Sequence, residues 1–114
     1  MHELGIVFHI TKQVEEVAKE NNAQHISEVV LSLGEVSTVI PSYLEDCWAW
    51  NSKKYPLLEG SKLTCETIKA VTFCEDCKQE YGTVEHGKTC PHCGSTNTYL
   101  VTGNEVILKE VIVD

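Results

Sequence analysis

The stretch Cys74-Glu75-Asp76-Cys77, answered by Cys90-Pro91-His92-Cys93, decides how the rest of this 114-residue chain is read. Two residues between cysteines let the backbone turn sharply enough for both sulfurs to meet one ion at about 2.3 Å, and a second such turn completes a tetrahedron. Pro91 stiffens the second knuckle and Gly94 lets it bend back. Four thiolates at this spacing predict zinc in a compact hairpin. An iron site of the rubredoxin kind uses the same ligands, but the run Cys74 to Lys78 lacks the proline and glycine of such a site's other knuckle. A dithiol redox centre needs a single Cys-x-x-Cys and leaves the second pair unexplained. His86 and His92 lie near the cysteines in sequence, yet four sulfurs close the shell without them, so both read as exposed loop histidines. Cys47 and Cys65 read as small buried apolar residues.

Charge narrows the choice of partners. Seventeen acidic side chains stand against nine basic ones, all lysine, for a formal charge of −8. Four ionised cysteines with one Zn²⁺ would take this to about −10. Nucleic-acid binding calls for a basic surface and arginine forks, and this chain has no arginine. The ribbon from Phe73 to Thr102 is itself acidic, carrying Glu75, Asp76, Glu80 and Glu85 against Lys78 and Lys88. An anionic leaflet would repel the chain, Met1 to Ile10 lacks the charge order of a secretory signal, and no apolar run approaches the roughly 18 residues of a span. The expectation is a soluble cytoplasmic protein, bound to neither nucleic acid nor membrane.

Around the ribbon, hydrophobic spacing sets the elements. Val7, Ile10, Val14 and Val17 recur three and four apart, which predicts a helix over Leu4 to Lys19 ended by Asn21-Asn22. Ile26 to Leu33 is a β-branched run, predicting a strand closed by Gly34. Pro41 suits the first turn of a second helix reaching Ser52, with Trp48 and Trp50 both assigned to the core. A strand is predicted over Lys62 to Val71 and another over Glu105 to Val113, the latter covered on both faces. The fold class is therefore α+β: a three-stranded sheet packed with two helices, plus an inserted Cys₄ zinc ribbon. The domain division is 1–72 with 103–114 for the main body and 73–102 for the insert, whose cohesion the metal supplies.

The amino terminus, Met1-His2-Glu3, offers a second metal site. Histidine at position 2 is too bulky for methionine removal, so the α-amine of Met1 stays one residue before an imidazole. That amine, the His2 amide nitrogen and His2 Nδ1 can close fused chelate rings, with Glu3 adding a backbone nitrogen or its carboxylate. Planar nitrogen donors favour Ni²⁺ or Cu²⁺ over tetrahedral Zn²⁺. His9 would sit about 10 Å further along a continuous helix and is set aside. His25 has no partner visible in sequence and reads as a surface residue.

The starting Met1-His2-Glu3-Leu4, the turn Leu33-Gly34-Glu35, the two cysteine pairs and Gly103-Asn104-Glu105 together resemble the HypA/HybF family of hydrogenase maturation nickel metallochaperones, over essentially the full length. The resemblance implies a nickel-binding domain with an inserted structural zinc domain, and no enzymatic reaction. It implies transfer of Ni(II) to the precursor of the [NiFe]-hydrogenase large subunit, with a nickel-handling GTPase as partner; the chain itself is expected to be a monomer or weak homodimer, and its sequence fits either. By the same resemblance His2 is the nickel ligand, Met1 and Glu3 supply further nitrogen donors, and Cys74, Cys77, Cys90 and Cys93 hold Zn(II). One departure concerns the fourth nickel ligand: some relatives recruit an acidic residue near the start of the second helix, and Ser37 to Ser42 contains none, while others draw a ligand from the zinc domain, where His92 and His86 are the candidates. The contrasting reading is a zinc-ribbon adaptor that only binds proteins. A zinc hydrolase fits less well, because a closed four-sulfur shell leaves no position for water.

Overall fold

A computed structural model describes residues 2–114, with side chains from Glu3 onward. The helical spacing near the amino terminus forms α1 (His2–Glu20), which buries Val7, Ile10, Thr11, Val14 and Ala18 along one stripe. Its end is a Schellman motif: Ala23 N–H donates to the Ala18 carbonyl at 2.8 Å and Asn22 N–H to that of Lys19 at 3.3 Å. Asn22 takes the left-handed position at φ 52°, which asparagine tolerates better than most residues. The chain then enters β1 (Ile26–Gly34), where Ile26, Val29, Val30, Leu31 and Leu33 are all buried.

Helix α2 (Pro41–Ser52) starts with proline in its first turn and packs against α1. Buried Asn51 donates its amide to the Thr11 hydroxyl at 2.9 Å, and Thr11 in turn donates to the Val7 carbonyl at 2.8 Å. The expectation that both tryptophans are core holds for one. Trp48 is buried beside Leu44 and donates Nε1–H to Ser61 Oγ at 3.0 Å. Trp50 lies two residues on, about 200° round the helix, and is 50% exposed, with the Lys54 ammonium 3.7 Å over its ring. Cys47 and Cys65, expected to be buried, are both half-buried.

After a 3₁₀ turn at Pro56–Leu58 come β2 (Lys62–Ile68), β3 (Val71–Cys74), β4 (Glu80–Gly82), the short α3 (Thr83–His86), β5 (Thr98–Thr102) and β6 (Val106–Val113). The single strand expected over Lys62 to Val71 is two strands, broken at Lys69-Ala70. They join different sheets, ordered β2-β1-β6 and β4-β3-β5. Full coverage of the last strand is also corrected. No residue of β6 is buried, and Ile107 and Val113 are 48% and 47% exposed. The physical reason is position, since β6 is an edge strand with only β1 beside it.

Two compact units result. One comprises residues 1–31, 39–66 and 107–114, and the other residues 32–38 and 67–106. The first holds α1, α2 and most of the β2-β1-β6 sheet. The second holds the β4-β3-β5 sheet, with β3 antiparallel to both neighbours.

Within the second unit, three chain segments meet at residues 34–36, 68–70 and 103–105. Gly34 N–H donates to the Glu105 carbonyl at 2.7 Å, Val36 N–H to that of Gly103 at 2.8 Å, and Glu35 N–H to that of Ile68 at 2.8 Å. The side chains join in: Glu35 Oε1 accepts Ala70 N–H at 2.9 Å, and Glu105 accepts Gly103 N–H at 2.6 Å and the Thr102 hydroxyl at 2.7 Å. Glycine is required because a Cβ on Gly34 would lie 2.0 Å from the Gly103 carbonyl oxygen, and Gly103 itself sits at φ 120° against Ala70.

Candidate metal centre

Each Cys-x-x-Cys stretch folds into a knuckle held by its own backbone. In the first, Lys78 N–H donates to the Cys74 carbonyl and Cys74 N–H to the Gln79 carbonyl, both at 2.9 Å. In the second, Gly94 N–H donates to the Cys90 carbonyl at 2.8 Å and Cys90 N–H to the Ser95 carbonyl at 2.9 Å. The two turns therefore present their cysteines in the same manner.

The four sulfurs lie within 4.8 Å of one another. Cys74 Sγ and Cys93 Sγ are 3.6 Å apart, as are Cys77 Sγ and Cys90 Sγ. Disulfide sulfurs would be about 2.05 Å apart. A tetrahedron with its sulfurs about 2.3 Å from the centre has edges of about 3.8 Å, so the donor set fits one tetrahedral ion. The first cysteine of each knuckle, Cys74 and Cys90, is buried; Cys77 is half-buried and Cys93 exposed. The site thus opens on one side while Tyr81 packs with Cys74, Cys90 and Cys77 beneath it.

Crowding the sulfurs together changes the acidity of Cys77 and Cys90. Burial, and then the neighbouring sulfurs of Cys90 and Cys74, push the Cys77 thiol up to about 12. Burial works against ionising Cys90, but the backbone N–H groups of Cys93 and His92, together with the neighbouring thiols of Cys77 and Cys93, bring that thiol down to about 7. The His92 N–H lies 3.4 Å from Cys90 Sγ. Cys90 is accordingly disposed to ionise, as a metal-binding thiol must.

Polar side chains tie the knuckles together. Asp76, between the first two cysteines, accepts the Ser95 hydroxyl on Oδ2 and the Asn97 amide on Oδ1, the latter at 3.3 Å. Asn97 N–H donates to Ser95 Oγ at 3.0 Å, and the Ser95 and Asn97 bonds hold the Asp76 carboxyl below its usual range. In the sequence Asp76 counted only as acidic charge. Its place between the cysteines of one knuckle, with Ser95 and Asn97 just past the other, was the available signal. Tyr81 adds a further brace, donating its hydroxyl to the Gly87 carbonyl at 2.8 Å.

The histidines near the cysteines and the amino-terminal residues are placed as follows. His92 is exposed between Pro91 and Cys93. His86, also exposed, closes α3 rather than lying in a loop, and its ring meets that of Tyr81 edge-on at 5.9 Å. Glu3 is in the first turn of α1, where an acidic side chain suits the helix dipole, and is 6% exposed. Met1 and the side chain of His2 lie outside the described residues, and so does any geometry of the amino-terminal site. Among the described residues no helix is long and apolar enough to cross a membrane.

Two small sheets, two main helices and a four-cysteine knuckle pair define an α+β protein with a metal-binding ribbon. Comparison with known proteins places it further. Residues 1–113 match the family described as HypA, hydrogenase/urease nickel incorporation, metallochaperone, and the chain belongs to that family. The hydrogenase maturation factor HypA of Aquifex aeolicus is 38% identical over 112 residues, covering 97% of this chain and 96% of the relative. The protein of the same name from Geobacter sp. is 36% identical over 112 residues, with 97% of each chain covered. Among solved structures, that of the nickel metallochaperone HypA from Helicobacter pylori superposes with a TM-score of 0.74 at 26% identity, covering 99% of this chain and 97% of the other.

Proposed function

We propose that this chain binds Ni(II) at its amino terminus and delivers it to the precursor of a [NiFe]-hydrogenase large subunit, with a structural Zn(II) in the ribbon. The observation that carries this reading is the family match over residues 1–113. Met1 supplies its amine, His2 its amide nitrogen and Nδ1, and Glu3 a further donor. Burial of the Glu3 side chain favours its backbone nitrogen for that role. Cys74, Cys77, Cys90 and Cys93 hold the zinc, which lends cohesion to the small ribbon and supplies no reaction, because four sulfurs leave no site for water. The partners are the hydrogenase precursor and a nickel-handling GTPase, and the protein works in the cytoplasm without catalysing a reaction of its own.

The ligands suit delivery. A site at a chain end costs little to rearrange, so a recipient can compete for the ion with better donors. Amine, amide and imidazole must all shed protons to bind, so nickel affinity falls as pH drops. Calorimetric titration of untagged protein with Ni(II) tests the reading. His2→Ala is expected to abolish the tight site while leaving bound zinc unchanged; equal stoichiometry and affinity in both proteins would leave only a zinc-ribbon adaptor.

A further inference from the structure

His25 stands at the entry to β1 with both ring nitrogens facing acceptors. Nδ1 meets the Asp114 carboxylate just past β6, and Nε2 lies 2.6 Å from the Glu59 carbonyl oxygen that follows the 3₁₀ turn. An ionised carboxylate and a carbonyl only accept, so a neutral ring with one N–H serves one of them. Both contacts are made together only by the imidazolium. The Glu59 carbonyl and then the Asp114 carboxylate hold the proton on the ring, raising its pKa above the ordinary 6.5, while slight burial works the other way. The charged groups that bear on it are the carboxylates of Asp114 and Glu59. Elsewhere on the same strands, Lys109 pairs with Glu66, and Glu28 accepts the Thr64 hydroxyl. One backbone bond, from Asp114 N–H to the His25 carbonyl at 3.1 Å, joins the end of β6 to the start of β1 independently of pH.

We propose that His25 is a protonation-gated clamp: as imidazolium it ties the end of β6 and the Glu59-Gly60 turn to the start of β1, and loss of its proton releases one of the two. The direction follows from linkage. Because the folded ring holds its proton more tightly than the unfolded one, the stabilisation is fully present below pH 6.5 and is lost as pH rises through the folded value. The backbone bond remains, so the change is a local loosening and not unfolding.

The test is an NMR titration of the full chain from pH 5 to 9, following the His25 ring, the Asp114 carboxyl carbon and the Glu59 carbonyl carbon. His25→Gln assigns the signals, and Asp114→Asn removes the charged acceptor. The His25 midpoint is expected above 6.5, with Asp114 and Glu59 moving at the same midpoint. Asp114→Asn should lower that midpoint, and His25→Gln should remove the shared transition. A midpoint at or below 6.5, or Asp114 and Glu59 signals that ignore the ring, would overturn the clamp. If His25→Gln does not fold, the Asp114→Asn titration decides alone: an unmoved midpoint refutes it.

Discussion

Lys78 and Gly94 occupy the same place in the two knuckles. Each follows the second cysteine of its pair, at φ 61° and 74°, and each donates its backbone N–H to the carbonyl of the first. A side chain in the left-handed region costs about 1–2 kcal/mol, partly offset by glycine's greater entropy when unfolded. Lys78→Gly is therefore expected to raise the stability of the metal-bound protein by up to about 1 kcal/mol, read by denaturant unfolding, with metal content unchanged. A loss of stability would mean that the Lys78 side chain makes a contact outweighing its backbone strain.

The glycine pair at the three-segment junction leads to a harsher outcome. Gly34→Ala sets a Cβ against the Gly103 backbone at 2.0 Å, where no side-chain movement relieves the clash. A loss of about 3 kcal/mol or more is expected. Gly60→Ala is the control, for Gly60 has φ 73° but nothing within 4 Å of an added Cβ, so its cost is only the conformational one of about 1–2 kcal/mol. Equal unfolding midpoints for the two variants would contradict the packing account.

Between α1 and α2, the buried hydroxyl of Thr11 is the hydrogen-bond partner of the Asn51 amide. Thr11→Val strands that amide away from water, at a cost of about 1–3 kcal/mol. Thr11→Val with Asn51→Leu removes both partners and is expected to cost less than the sum of the single changes, by about 1 kcal/mol, in a double-mutant cycle of denaturant unfolding. Strict additivity would show that the pair contributes nothing as a pair.

In the ribbon, Cys77→Ser is expected to lower bound zinc, measured by elemental analysis of the purified protein. Chelation of the wild type should disorder the β4-β3-β5 unit first, because that unit's small core is built around Cys74, Cys90 and Tyr81. Unchanged zinc in the variant would refute the assignment of the site.

Much of this was legible in the sequence where the signal was local. The helical stripe of α1, the β-branched run of β1 and Pro41 at the start of α2 all fall where spacing and chain-breaking residues put them. The four cysteines meet because two-residue spacers dictate knuckles. Failures came where distant segments decide. The imperfectly alternating segment Lys62 to Val71 carries no local mark of its break at Lys69-Ala70, where Ala70 N–H turns to the carboxylate of Glu35. Nothing local says that β6 lies at a sheet edge, that Trp50 faces outward while Trp48 does not, or that His25 is matched with Asp114, 89 residues away. The turns Leu33-Gly34-Glu35 and Gly103-Asn104-Glu105 were recognisable as signatures, but their reason is a mutual close approach that only the folded chain displays.

Nickel X-ray absorption spectroscopy on untagged, zinc-loaded protein with one equivalent of Ni(II) tests the central claim most directly. The account predicts a nickel first shell of nitrogen and oxygen with no sulfur, lost in His2→Ala, and zinc still bound by four sulfurs. Nickel found among the sulfurs of Cys74, Cys77, Cys90 and Cys93, in wild type and His2→Ala alike, would contradict it.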